Sequence, residues 1–160
     1  MDSFRGLKKK DVWDYENGFY WFSSKSRINK LLSHYELYKK IIDIPGHIFE
    51  FGVYKAVSLV RFATFRNAVE NDLSRKIVGF DAFGSFPTDK LKVKDDISFI
   101  KEFEDVGGHG LSDDEVKEIL LSKGFENFNL IKGNVFDTLP AYLEDNNETR
   151  IALLHLDMDV

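Results

Sequence analysis

The chain has 160 residues, of which 43% are hydrophobic, 14% aromatic and 31% charged, with a formal net charge of −5. That size and balance fit one globular domain with a real core and exclude a disordered chain, and the acidic surplus argues against a nucleic-acid partner. With no cysteine, disulfides, zinc–thiolate centres, iron–sulfur clusters and thiol nucleophiles are excluded, so any metal must be held by oxygen or histidine.

The opening MDSFRGLKKK lacks the apolar core of a signal peptide, and no apolar run approaches the roughly 18 to 20 residues of a membrane span. A cytoplasmic protein without a membrane partner is expected. Lys8, Lys9 and Lys10 read as a solvated entry to the fold. From Ser26 to Asp43, Ile28, Leu31, Leu32, Tyr35, Tyr38, Ile41 and Ile42 recur at three- and four-residue intervals, which predicts one leading amphipathic helix closed by Pro45-Gly46. The period then shifts. HIFEFG (47–52) is a short strand ending at glycine, SLVRFATFRNAVEN (58–71) a helix, and KIVGFD (76–81) a strand apolar enough to be buried on both faces.

Between Ala82 and Leu111 the sequence carries Gly84, Pro87, Gly107, Gly108 and Gly110 and predicts one short helix around 96–104. A connection of that length suggests a functional lid. Ser112 to Glu115 fits a capping box opening a helix through Ser122, followed by a strand at 127–135, a short helix at 138–146 and a strand at 150–160. This alternation predicts a Rossmann-like, doubly wound parallel sheet: residues 1–45 as a helical cap, and 46–160 as the cofactor-binding domain.

Ligands in such sheets bind at the carboxyl ends of the strands. Those ends carry Glu50-Phe51-Gly52, Asp81, Gly133-Asn134 and Asp157-Met158-Asp159. The turn EFGVYKAVS is not a G-x-G-x-x-G dinucleotide fingerprint, because Tyr54 and Val57 stand where glycines would let a pyrophosphate approach. It reads equally as a cofactor turn or as a tight turn that needs Gly52. Asp81 suits the hydroxyls of a ribose or a simple turn cap, and its company with Gly52 favours the ribose. Asp157 and Asp159 share a side if the strand runs that far, a pattern that suits Mg²⁺ held by one or two carboxylates plus waters and substrate oxygens, or a solvated strand end. His155 reads as a packed strand residue and His109 as a loop residue, not as bases.

Taken in order, ENGFYWFSSKSRINKLLSHYELYKKI, IFEFGVYKAVSLVRFA, IVGFDAFGSFP, LIKGNVFDTLPAYL and LLHLDMDV resemble the macrocin O-methyltransferase (TylF-like) family from about Glu16 onward. The resemblance implies a class I methyltransferase fold using S-adenosylmethionine, with Mg²⁺, to methylate a hydroxyl of a small molecule such as a sugar or glycosylated natural product. It places Glu50, Phe51, Gly52 and Val53 along the methionine and ribose of the cofactor, Ser58 near them, Asp81 on the ribose hydroxyls, and Asn134 and Val135 against the adenine. It makes Asp157 a metal ligand and Asp159 the general base. Ala56 departs from a usual glycine and Asn134 from a usual aspartate. The resemblance also implies a chain cut after its fourth strand, short of the remaining metal ligands, with an open edge that predicts self-association. Two rival readings are a degenerate, non-catalytic binding module and an NAD-dependent oxidoreductase.

Overall fold

The computed structural model describes residues 1–86 and 94–158. Pro87, Asp159 and Val160 therefore lie outside the described residues. The chain opens with a small antiparallel hairpin, β1 (Ser3–Phe4) and β2 (Leu7–Lys8), a single 3-10 turn, and two helices, α1 (Val12–Phe22) and α2 (Lys25–Lys39). Strand and helix then alternate as β3 (His47–Phe51), α3 (Val57–Val69), β4 (Ile77–Asp81), α4 (Lys94–Gly107), α5 (Asp113–Ser122), β5 (Phe128–Lys132), α6 (Val135–Asp145) and β6 (Ile151–Leu156).

The four long strands form one parallel sheet in the order β5-β4-β3-β6. The chain moves outward from β3 through β4 to β5, then crosses back to lay β6 on the other side of β3. Strand order thus reverses between β3 and β6, the switch point at which open α/β sheets leave a ligand crevice.

Burial on both faces follows from the period of two. Ile48 and Ile77 pack with Leu59 and Phe62 of α3, Tyr38 of α2, and Val116 and Leu120 of α5. Phe49, Phe51, Val78 and Phe80 face the other way, against Tyr142 and Leu139 of α6. There the Phe49, Phe80 and Tyr142 ring centroids stand 5.5 to 5.6 Å apart, and each such side chain contributes roughly 1.5–3 kcal/mol by leaving water. Gly79 is small for a reason: a Cβ there would meet Val53 Cγ2 at 2.9 Å.

Predicted bounds change at both ends of the chain: the strand expected over 127–135 stops at Lys132, with Val135 already helical, and the strand expected over 150–160 stops at Leu156. The leading helix is preceded by α1, which buries none of its side chains and leaves Trp13, Trp21 and Phe22 exposed. Its sequence, VWDYENGFYWF, has no polar face to set a period, so the pattern that reveals α2 is missing. Helix α2 ends at Lys39, four residues short of Asp43, because the carbonyls of Ile41, Ile42 and Ile44 accept from the Arg75 guanidinium. Helix α5 opens on the predicted capping box, with Ser112 and Glu115 exchanging side-chain and backbone bonds. Strand β6 ends at Leu156 and forms an edge of the sheet, where Leu154 and Leu156 are exposed. Among the described residues no helix is long and apolar enough to cross a membrane.

Candidate active site

The crevice is built where β3 and β6 end together. Asp157 N–H donates to Phe51 O at 2.9 Å, and Gly52 turns away at φ +90°. A Cβ on Gly52 would run into the Asp157 carbonyl, so here glycine is required by close approach as well as by dihedral. The turn that follows is left-handed twice more, at Tyr54 (φ +48°) and Ala56 (φ +58°). Ala56 thus keeps the left-handed geometry that a glycine adopts freely, and its side chain is fully buried at the start of α3.

Asp81 holds this turn in place. One carboxylate oxygen accepts from Val53 N–H at 2.6 Å and Tyr54 N–H at 3.0 Å, and the other from Phe83 N–H at 2.6 Å. A carboxylate has about four acceptor sites, so three are committed to the backbone and one is left for a ligand hydroxyl. The C-terminal end of α4 clasps the same turn. Tyr54 donates its hydroxyl to Gly108 O at 2.9 Å, Lys55 donates to Gly107 O, and Tyr54 packs on Phe103.

Phe51 and Val53 belong to the two opposed cores, so their side chains face protein, and what they can offer a ligand is main chain. Asn134 caps α6, its side-chain oxygen accepting from Phe136 N–H at 2.9 Å, with Val135 half-buried behind it and Phe136 exposed beside it.

Beneath the crevice lies a buried polar cluster. Glu50 is fully enclosed, accepts from Ser58 Oγ at 2.5 Å, and has its pKa pushed up to about 8 by burial. His155 sits opposite it in register, with Nδ1 3.9 Å from the carboxylate, and burial lowers its pKa. His34 of α2 stands edge-on to His155, ring centroids 5.0 Å apart, and stacks on Phe62. Its pKa falls to about 4, first through burial and then through the charges of His155 and Arg61. One helical turn earlier, Lys30 pairs with Asp157 at 3.0 Å across the mouth.

The structure therefore brings Glu50, Gly52, Ser58, Asp81 and Asp157 to one crevice and sets Asn134 and Val135 at the end of β5. Lys30 and His34 are additions from α2. The sequence carries a signal for His34, which stands three residues after Leu31 and four before Tyr38, on the buried stripe. Lys30 has none, because its partner is 127 residues away.

The acceptor set suits a ligand that brings N–H and O–H donors. Glu50, Asp81 and Asp157 surround the switch point, Glu50 mostly protonated near neutral pH and Asp157 balanced by Lys30, and Glu50 Oε2 is buried with no hydrogen-bond partner. A sulfonium with an ammonium tail fits such a cradle. A divalent cation fits less well, since among the described residues no group of three or more His, Asp or Glu could hold one, and Asp157 is engaged by Lys30.

The family model described as macrocin-O-methyltransferase (TylF) matches residues 2–160. The chain belongs to this family. Among solved structures, the TylF-family chain is similar to CalS11, described as a TDP-rhamnose 3'-O-methyltransferase in calicheamicin biosynthesis. In the apo form identity is 29%, covering 93% of this chain and 58% of that one, with a TM-score of 0.61. A second CalS11 structure gives 28% identity, 93% and 61% coverage, and a TM-score of 0.63. The O-methyltransferase NovP, at 20% identity, covers 83% of this chain and 55% of that one with a TM-score of 0.66, and supports the fold alone. No curated protein matches. The chain thus spans about three fifths of the length of the CalS11 chains it matches.

Proposed function

We propose that this TylF-family chain forms the cofactor-binding part of an S-adenosylmethionine-dependent O-methyltransferase acting on a hydroxyl of a small molecule, a sugar or glycosylated natural product. The observation that carries the reading is the cluster of carboxyl groups at the β3/β6 switch point, with a buried, unpaired Glu50 oxygen at its floor. Family membership and the likeness to CalS11 support it.

S-adenosylmethionine supplies a methyl group already activated on a sulfonium. The protein has to hold the acceptor oxygen in line with it and remove a proton, so positioning supplies most of the rate. In this reading Gly52 admits the cofactor main chain to main chain. Asp81 gives its remaining acceptor site to a ribose hydroxyl, and Asn134 and Val135 border the adenine. Glu50 faces the cationic methionine end, and the α4 end closes over the turn through Tyr54 and Lys55. Asp157 lies nearest the acceptor, with its charge balanced by Lys30. Asp159, outside the described residues, is the proposed base. Mg²⁺ enters this reading only as a candidate partner of Asp157, for which the described residues supply a single carboxylate, and no step is derived through it.

Calorimetry with S-adenosylmethionine should give micromolar-scale binding to the full chain, and a flat trace at millimolar cofactor would sink the proposal. Methyl transfer that persists in excess chelator would remove Mg²⁺ alone. Cofactor binding without any transfer would favour a binding-only module.

A further inference from the structure

Among the described residues, four buried side-chain polar atoms have no hydrogen-bond partner: Ser23 Oγ, His34 Nδ1, Glu50 Oε2 and His155 Nδ1. Three of the four belong to one cluster, at the floor of the crevice. Each such atom costs about 1–3 kcal/mol when left unpaired, so their concentration in one place calls for a physical reason. His155 Nδ1 and Glu50 Oε1 are 3.9 Å apart, too long for a direct hydrogen bond and suited to one bridging water. A site with two to four polar partners is where a buried water is retained. The histidine rings are fixed from behind: His34 stacks on Phe62 at 5.1 Å and meets His155 edge-on, and Phe62 also packs on His155 at 5.4 Å.

We propose that His155 and His34 are positioning residues for Glu50: His155 binds Glu50 Oε1 through an internal water, and His34 sets the plane of the His155 ring. Ser58 and that water then fix Oε1, which leaves Oε2 as the carboxyl oxygen that a ligand's N–H meets. The leading helix α2 becomes part of the cofactor site without touching the cofactor. This deepens the proposed function and rests on it for the identity of the ligand, while the side-chain network stands on the contacts themselves.

The test uses the full chain and two readouts. In the ligand-free protein, Glu50→Gln should move the His155 ring-nitrogen resonances by several ppm in a long-range ¹⁵N spectrum and those of His34 by less; unchanged resonances overturn the network. With S-adenosylmethionine as the titrant, His34→Leu should weaken binding about tenfold while melting within a few degrees of wild type, and His34→Phe, which keeps a flat ring between Phe62 and His155, should recover most of it. Wild-type affinity in His34→Leu overturns the positioning role. If His34→Leu does not fold, the nearly isosteric Glu50→Gln spectrum decides. If the wild type binds no cofactor, the proposed function falls and the ring-nitrogen shifts still decide the network.

Discussion

The two ends of the sheet bury charge in opposite ways. At the amino ends of the strands, Arg66 and Arg75 are enclosed and every arm has a partner. Arg75 donates to the carbonyls of Ile41, Ile42, Ile44 and Gly46 and to both oxygens of Glu70. Arg66 donates to Arg75 O, Asn127 O, Asn67 and Asp72, and Tyr38 closes on Glu70. At the carboxyl ends, Glu50 and His34 are just as enclosed and His155 is half-buried, and each keeps an unpaired atom. Burial alone therefore does not mark function. A satisfied cluster ties the end of α2 to the strands, whereas an unsatisfied one at a switch point is held ready for something that is not protein.

The contrast breaks most visibly at Arg75. Arg75→Ala leaves Glu70 buried without its counter-ion and strips four carbonyls of a donor, so urea unfolding should show a loss of about 3–5 kcal/mol. A loss below 1 kcal/mol would mean that the amino-end network is ornamental and the comparison empty. For Glu70, burial acts to raise the pKa, and the hydrogen bonds from Arg75 and Tyr38 outweigh it and lower it. Its stabilisation is present above the unfolded pKa and fades as acid protonates the folded carboxylate.

Glu50 has the reverse sign. Its folded pKa, about 8, lies above the unfolded value near 4.5, so the folded chain holds more protons between those limits and loses stability as pH rises through them. The slope from this one group is at most about 1.4 kcal/mol per pH unit. Glu50→Gln should flatten the stability profile between about pH 4.5 and 8 while reducing cofactor binding. An unchanged profile would show that water reaches the carboxyl group and that the two ends are not opposites.

The fold was legible because its signals are local. Alternating period, the capping box at Ser112 and glycine at the strand ends all lie within a few residues of what they specify. The strand expected over 127–135 overruns its end: β5 stops at Lys132 because Gly133, at φ +138°, hands over to the Asn134 cap and Val135 opens α6. The same logic explains the failures. Helix α1 carries apolar side chains all round, with Asp14, Glu16 and Asn17 scattered among them, and has no period to read, and α2 stops early for the Arg75 guanidinium, dozens of residues later. The crevice divides likewise. Glu50, Gly52, Asp81 and Asp157 could be named because each ends a strand. Lys30 could not, since its ion pair with Asp157 exists only after β6 crosses to the far side of β3.

Asp81 tests how far the crevice end is already organised. Asp81→Asn keeps one acceptor oxygen for three backbone amides, so either Val53 and Tyr54 or Phe83 loses its partner. Charge-assisted bonds of this kind are worth about 1.5–3 kcal/mol together with the desolvation they offset. Chemical unfolding should register a loss in that range, with weaker cofactor binding. Full stability in the variant would mean the turn holds itself and that Asp81 is free for the ligand alone.

The smallest effect is expected at Ala56, and it has a definite sign. An L-residue in the left-handed region costs about 1–2 kcal/mol, and Ala56 sits there at φ 58°, ψ 16° with its methyl group buried. Ala56→Gly relieves that strain but gives up roughly 0.8 kcal/mol of methyl burial and adds freedom to the unfolded chain. The net should be a gain of no more than about 1 kcal/mol by urea titration, most of the relief being offset. Ala56→Val separates the terms, because a branched side chain at positive φ adds strain without adding an unpaired polar group. If Ala56→Gly destabilises while Ala56→Val is tolerated, the turn is held by its buried methyl. The left-handed geometry at the head of α3 is then an incidental result of packing and not something the crevice maintains for close approach to a ligand.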